Sequence, residues 1–162
     1  MGYATAMWQG FGAALAAVSG ALVGLLFVAV SVRSDVLAAS RSLSSGAAQT
    51  LVLFMTSVLI SIFIVVPQPS AALGAQLLAV AVASGAVLLI LDRRAGHEAS
   101  QGVARYIEKF SPNMITAVLV CVAGVTFLVK AGGGLYWLIP AAVASLVGGV
   151  VNAWLFLVRL TG

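Results

Sequence analysis

The chain has 162 residues, of which 62% are hydrophobic and 7% charged, with a mean hydropathy of +1.17. Water-soluble domains carry about a quarter charged residues, so the composition excludes an ordinary soluble domain, a disordered chain and a nucleic-acid-binding module, and makes lipid the solvent of a single helical membrane domain. Eight Lys and Arg against four Asp and Glu give a net charge of +4; in lipid, the placement of these cations reports topology rather than an acidic partner.

Charged residues are absent from 1–32, 42–91, 110–129 and 131–158. A helix needs about 20 apolar residues to cross a hydrocarbon core about 30 Å thick, so the first gap predicts a transmembrane helix over 11–31. The preceding residues lack a basic segment, and Ala6 stands where an N-myristoylation signal needs Ser or Thr; retention of the first span is expected, without that lipid. The second gap holds two spans, 46–66 and 71–91, broken at Pro67-Gln68-Pro69-Ser70. There two prolines remove backbone donors and Ser70 is positioned to cap the next helix. Ser111-Pro112 opens a fourth span over 112–129, and Gly132-Gly133-Gly134 turns the chain into a fifth over 135–158. That glycine run lacks the Lys-Ser/Thr of a phosphate-binding loop. Continuous apolar runs, rather than alternation every second residue, specify helices and not a barrel. The expected fold is an all-α membrane protein of five transmembrane helices.

With the N-terminus outside, Arg33, Arg41, Arg93, Arg94, Arg105, Lys109 and Arg159 all face the cytoplasm, and Lys130 alone is outside. Cytoplasmic loops concentrate Lys and Arg, which selects N-out, C-in. Tyr3, Trp8, Tyr136 and Trp137 then form the outer aromatic belt, with Tyr106 and Trp154 toward the inner one. Between the third and fourth spans, Val103, Tyr106, Ile107 and Phe110 recur at helical spacing opposite Arg105, Glu108 and Lys109. This pattern predicts a short amphipathic cytoplasmic helix against anionic lipid headgroups, or alternatively one that docks a soluble partner.

No ionisable residue lies well inside a span. Ion-coupled carriers, proton relays and voltage sensors place such groups at membrane depth, so a proton-driven pump is disfavoured. Transport through hydroxyls, amides and carbonyls stays open. Catalysis has little material: Ser19, Ser57, Ser61, Ser84 and Ser145 supply hydroxyls, but the single histidine, His97, falls in a loop. Asp92, His97 and Glu98 lack zinc-motif spacing and read as a solvated loop in which Asp92 pairs with Arg93 or Arg94. Cys121, the single cysteine, reads as a small packing residue. We expect no catalytic residues, no metal site and no cofactor.

Small residues recur every fourth position as Gly12, Ala16, Gly20 and Gly24; as Ala75, Ala79 and Ala83; and as Ala141, Ser145, Gly149 and Ala153. Such stripes let helix backbones approach in lipid, within one bundle or between subunits. Asn152 lies about 10 Å inward from Arg159 and needs a partner. Thr56, Ser57, Ser61 and Ser84 supply candidates for an interhelical clamp or a polar pathway, and Gln76 is a weaker case of the same kind. Pro140 either kinks the last helix or belongs to its first turns.

The stretch Gly133-Gly134-Leu135-Tyr136-Trp137-Leu138-Ile139-Pro140, then Gly148-Gly149-Val150-Val151-Asn152-Ala153-Trp154, together with Leu25-Leu26-Phe27-Val28-Ala29-Val30-Ser31, resembles small integral membrane proteins of unknown function from bacteria, particularly actinobacteria. The resemblance implies a multi-pass protein of the bacterial inner membrane and assigns no activity. The leading expectation is a non-enzymatic homo-oligomer enclosing a route for an ion or small solute. The alternative is an accessory or scaffolding subunit that binds another membrane protein. An intramembrane enzyme comes third, and no nucleic-acid partner is expected.

Overall fold

In a computed structural model, residues 5–32, 34, 41–95 and 112–161 are described, with side chains for 5–32, 34, 44–91 and 114–154. The described chain is all-helical. A 3-10 turn, Thr5–Trp8, leads into α1 (Gln9–Val32); α2 (Arg41–Val65) and α3 (Ser70–Ala95) follow; α4 (Pro112–Val129) is joined through a 3-10 turn, Gly134–Trp137, to α5 (Leu138–Thr161). Four helical segments are long and apolar enough to cross a membrane: Thr5–Val32, Ser44–Val65, Ser70–Leu91 and Gly134–Trp154. The remaining one, Met114–Val129, is apolar and shorter.

Local chemistry sets the breaks. Val66 N–H still reaches Ile62 O at 3.0 Å, after which Pro67 and Pro69 supply no donor and α2 ends. Leu73 N–H donates to Pro69 O at 3.1 Å, so the carbonyl of Pro69 receives the first bond of α3. Ser70 is therefore the first residue of the helix and not its cap, a correction of one position. After α4, Lys130 adopts a left-handed backbone at φ 53° and Ala131 N–H bonds Thr126 O at 3.2 Å, the six-to-one closure of a Schellman motif. Gly132, Gly133 and Gly134 then take φ of 84°, 108° and 58°, which side-chain-bearing residues rarely adopt. The indole of Trp137 closes the turn by donating to Gly132 O at 2.7 Å. Pro140 sits in the first turn of α5, where its missing N–H has no intrahelical acceptor to lose.

α2, α3, α4 and α5 pack in a ring, each against the next, with α5 returning to α2. α1 is the outlier. It lies along α2 and barely touches α5, and 17% of its apolar window is buried against 44% for α2. Successive helices run in opposite directions. Trp8, the Pro67–Ser70 hairpin and the α4–α5 turn consequently share one end, where Trp8 meets Tyr136 edge-to-face at a centroid distance of 5.0 Å. A core of Ile64, Leu73, Leu77, Val120, Phe127 and Leu135, each at most 1% exposed, fills that half of the bundle.

α3 and α4 interlock through two reciprocal contacts. A Cβ on Gly74 would lie 2.6 Å from Leu128 Cγ, and one on Gly124 2.9 Å from Leu78 Cγ. Each glycine is the socket for a leucine of the other helix, which draws the backbones together where lipid supplies no hydrophobic drive.

Candidate functional site

Ser19 on α1, Ser57 and Ser61 on α2 and Ser145 on α5 are buried serines. Ser57 of α2 and Ser145 of α5 face each other with their hydroxyl oxygens 2.8 Å apart, and Ser145 also donates to Leu53 O at 3.1 Å. Both residues are buried, at 2% and 0% exposure. Their approach is possible because Gly149, one turn beyond Ser145, has no side chain: a Cβ there would overlap the ring of Phe54, 2.6 Å from its Cζ. Phe54, itself 1% exposed, fills that socket and keys α5 to α2. The stripe Ala141, Ser145, Gly149 thus acts inside the chain.

Thr50, Thr56, Ser61 and Ser84 are committed to their own helices. Thr56 donates to Val52 O at 2.7 Å, Ser61 to Ser57 O at 2.6 Å and Thr50 to Gly46 O at 3.0 Å. Ser84 turns back to Ala81 O at 3.2 Å on α3, whose ring neighbours are α2 and α4 rather than α5. This backbonding is how a buried Ser or Thr satisfies itself within a helix. Asn152, half-buried, is hydrogen-bonded to none of Thr56, Ser57, Ser61 and Ser84. Ser145, seven residues earlier on α5, is the residue that reaches across. Gln76 accepts from Gln68 Nε2 at 2.8 Å, while the same nitrogen donates to Phe63 O at 2.8 Å, locking the hairpin end of α2 to α3.

Sequence reasoning passed over Gln68, though it stands eight residues before Gln76 across a two-proline turn. It also missed the burial of Ser19, which shares the face of α1 carrying Trp8, Gly12 and Leu15. Ser19 is 0% exposed and its hydroxyl has no hydrogen-bond partner.

The small-residue stripes of α1 and α3 are packed at one position and exposed at others. Gly12 is packed, 3.2 Å from Ser61 O for an added Cβ, but Gly20 and Gly24 have nothing within 4 Å and are exposed. Ala75, Ala79 and Ala83 are exposed as well, because α3 turns Leu73, Leu77, Ala81 and Leu88 inward instead. A smooth outer face therefore remains on α1 and another on α3.

Chemically, the hydroxyl layer holds serines without a base. Among the described residues no group of three or more His, Cys, Asp or Glu side chains comes together. His97, Glu98 and the amphipathic segment 103–110 lie outside the described residues, as do the side chains of Asp92 and of the basic residues other than Lys130. Comparison with protein-family models, curated proteins and solved structures finds no match.

Proposed function

We propose that the chain is a non-enzymatic, five-span protein of the bacterial inner membrane, N-out and C-in, that works as a subunit of a homo-oligomer, any route for an ion or small solute running between subunits. The observation that carries this reading is the division of the small residues. Gly12, Gly74, Gly124 and Gly149 are each filled by a neighbour within the chain, whereas Gly10, Gly20, Gly24 and Gly46 have open space beyond them, and of these Gly20 and Gly24 stand one turn apart on an exposed face of α1. An unneeded glycine in a helix costs about 0.8–1.0 kcal/mol relative to alanine, and close approach by a second helix is the use that lipid-exposed glycines serve. A route through one bundle is disfavoured by its filling: Ile64, Leu73, Leu77, Val120 and Phe127 pack into one core with at most 1% exposure.

The threading is supported by the geometry of the ends. α4 has 18 residues, about 27 Å at about 1.5 Å per residue, which suits the short end of membrane-spanning lengths. The antiparallel run of the helices puts Lys130, Tyr136 and Trp137 at the opposite end from the arginine-bearing ends of α2, α3 and α5. That partition is the one the positive-inside bias requires.

The test is the native mass of the full chain, released in mild detergent, followed by flux from liposomes. A defined homo-oligomer that passes small ions or neutral solutes supports the proposal. A monomer refutes it. Tight liposomes with inserted oligomer remove the route, and a stoichiometric second protein in place of a second copy makes the chain an accessory subunit instead.

A further inference from the structure

Among the described residues, Ser19 Oγ is the buried side-chain oxygen that lacks a hydrogen-bond partner. The antiparallel register of α1 and α2 shows what lies at its level. Gly12 faces Ser61, Ile64 and Val65. Seven residues along α1 lead to Ser19, and seven back along α2 lead to 54, 57 and 58. Two turns of each helix, about 10.5 Å, preserve the packed face, so Ser57 stands at the height of Ser19. Ser57 is in turn joined to Ser145. All three serines lie near the middle of their apolar helices, Thr5–Val32, Ser44–Val65 and Gly134–Trp154.

The hydroxyls of this layer keep acceptor capacity beside an unpaired donor. Ser145 donates to Leu53 O at 3.1 Å, a shorter contact than the 3.4 Å from Ser57 to the same carbonyl. Either hydroxyl can donate across the 2.8 Å contact between Ser57 and Ser145, and because a hydroxyl oxygen has two lone pairs, Ser57 Oγ keeps at least one of them to accept a further bond in either arrangement. Ser19 presents an O–H without an acceptor at the same height. A donor and an acceptor that are level but not bonded to each other are the two halves of a site for one small molecule that both accepts and donates. Buried waters occupy such places, meeting polar groups that the protein leaves unpaired.

We propose that a single water molecule is bound between α1 and α2 at mid-height of the bundle, accepting a hydrogen bond from Ser19 and donating one to Ser57. The site is a property of the single chain and holds whether or not copies associate. It makes the α1–α2 seam, the most extensive attachment of α1 among the described residues, polar at its centre.

A structure of the full chain in nanodiscs, at a resolution that shows ordered water, is expected to place a density peak about 2.6–3.2 Å from both hydroxyl oxygens. A well-resolved seam without that peak, or Ser19 bonded to the carbonyl of Leu15, overturns the assignment. Melting supplies a second arm. Ser19→Ala removes one atom from a packed helix and keeps the fold; with a bound water it lowers Tm by about 2–4 °C, and Ser57→Ala then costs less in that background than alone. An unchanged or raised Tm for Ser19→Ala, or additive losses in the pair, is the result of a dry seam and refutes the site.

Discussion

Gly149→Ala tests the packing of the hydroxyl layer with a single added carbon. The new Cβ falls 2.6 Å from Phe54 Cζ and 3.1 Å from Cδ1, and the ring, 1% exposed, has no solvent to swing into. Overfilling a packed core costs about 1–3 kcal/mol, whereas alanine in place of a helical glycine returns about 0.8–1.0 kcal/mol. Gly46→Ala on α2 is the matched reference, because nothing lies within 4 Å of its added Cβ and it collects the helical gain without the clash. Subtracting one variant from the other cancels the helical contribution and leaves the steric one, about 1–3 kcal/mol. For a chain of this size each kcal/mol moves Tm by about 2–4 °C, so Gly149→Ala should melt about 2–12 °C below Gly46→Ala. Tryptophan fluorescence or circular dichroism of the full chain in mild detergent reads the difference. Phe54→Leu, by shortening the ring, should cost less in the Gly149→Ala background than alone, with a coupling above about 0.5 kcal/mol. Equal melting of the two alanine variants, or strict additivity with Phe54→Leu, would refute the socket.

Three further outcomes follow from the same contacts. Ser145→Ala removes the hydroxyl that joins Ser57 to Leu53 O; it should destabilise by about 0.5–1.5 kcal/mol, and the double variant with Ser57→Ala should lose less than the sum in thermal melts. Gly74→Val drives side-chain carbon into Leu128; Tm should fall, and Leu128→Ala in the same background should recover part of the loss. The paired substitution Gly20→Leu with Gly24→Leu enlarges an open face of α1; helicity and Tm of the bundle should persist while the native mass drops to that of one chain, and an unchanged mass would sink the subunit interface placed on α1.

Much of this architecture is legible in the sequence because lipid imposes a simple rule: backbone groups must be satisfied within each segment, so uncharged apolar runs become helices. The breaks at Pro67 and Gly132 are legible for the same local reason, a missing donor in one case and positive φ in the other. What the sequence leaves open is which face of each helix turns inward. The stripe Ala75, Ala79, Ala83 reads as a contact face by spacing, yet leucines offset from it are buried and the alanines are exposed. On an apolar helix every side is hydrophobic, so periodicity carries little contrast. The partner of a polar residue is hidden equally: Ser145 rather than Asn152 meets Ser57, and the choice depends on Gly149 admitting Phe54, a contact between residues far apart in the chain.

The engagement of the hydroxyls decides where a solute route is able to lie. A conducting wall needs lone pairs and protons turned toward the permeant. Here Thr50, Thr56 and Ser61 spend their protons on carbonyls of their own helix, and Ser57 and Ser145 spend theirs on each other and on Leu53 O. Their residues are at most 4% exposed, sealed behind apolar neighbours such as Leu53 and Phe54. Opening a path along these groups would separate α5 from α2 and leave the Gly149 socket empty, which the fold resists at every contact just described. The outer faces of α1 and α3 carry no such commitment. Under the proposed function, any flux of ions or solutes should accordingly scale with the population of oligomer and vanish with the Gly20→Leu and Gly24→Leu pair, while Ser57→Ala leaves it unchanged. Flux abolished by Ser57→Ala in a folded, assembled protein would place the route inside the bundle and contradict this argument.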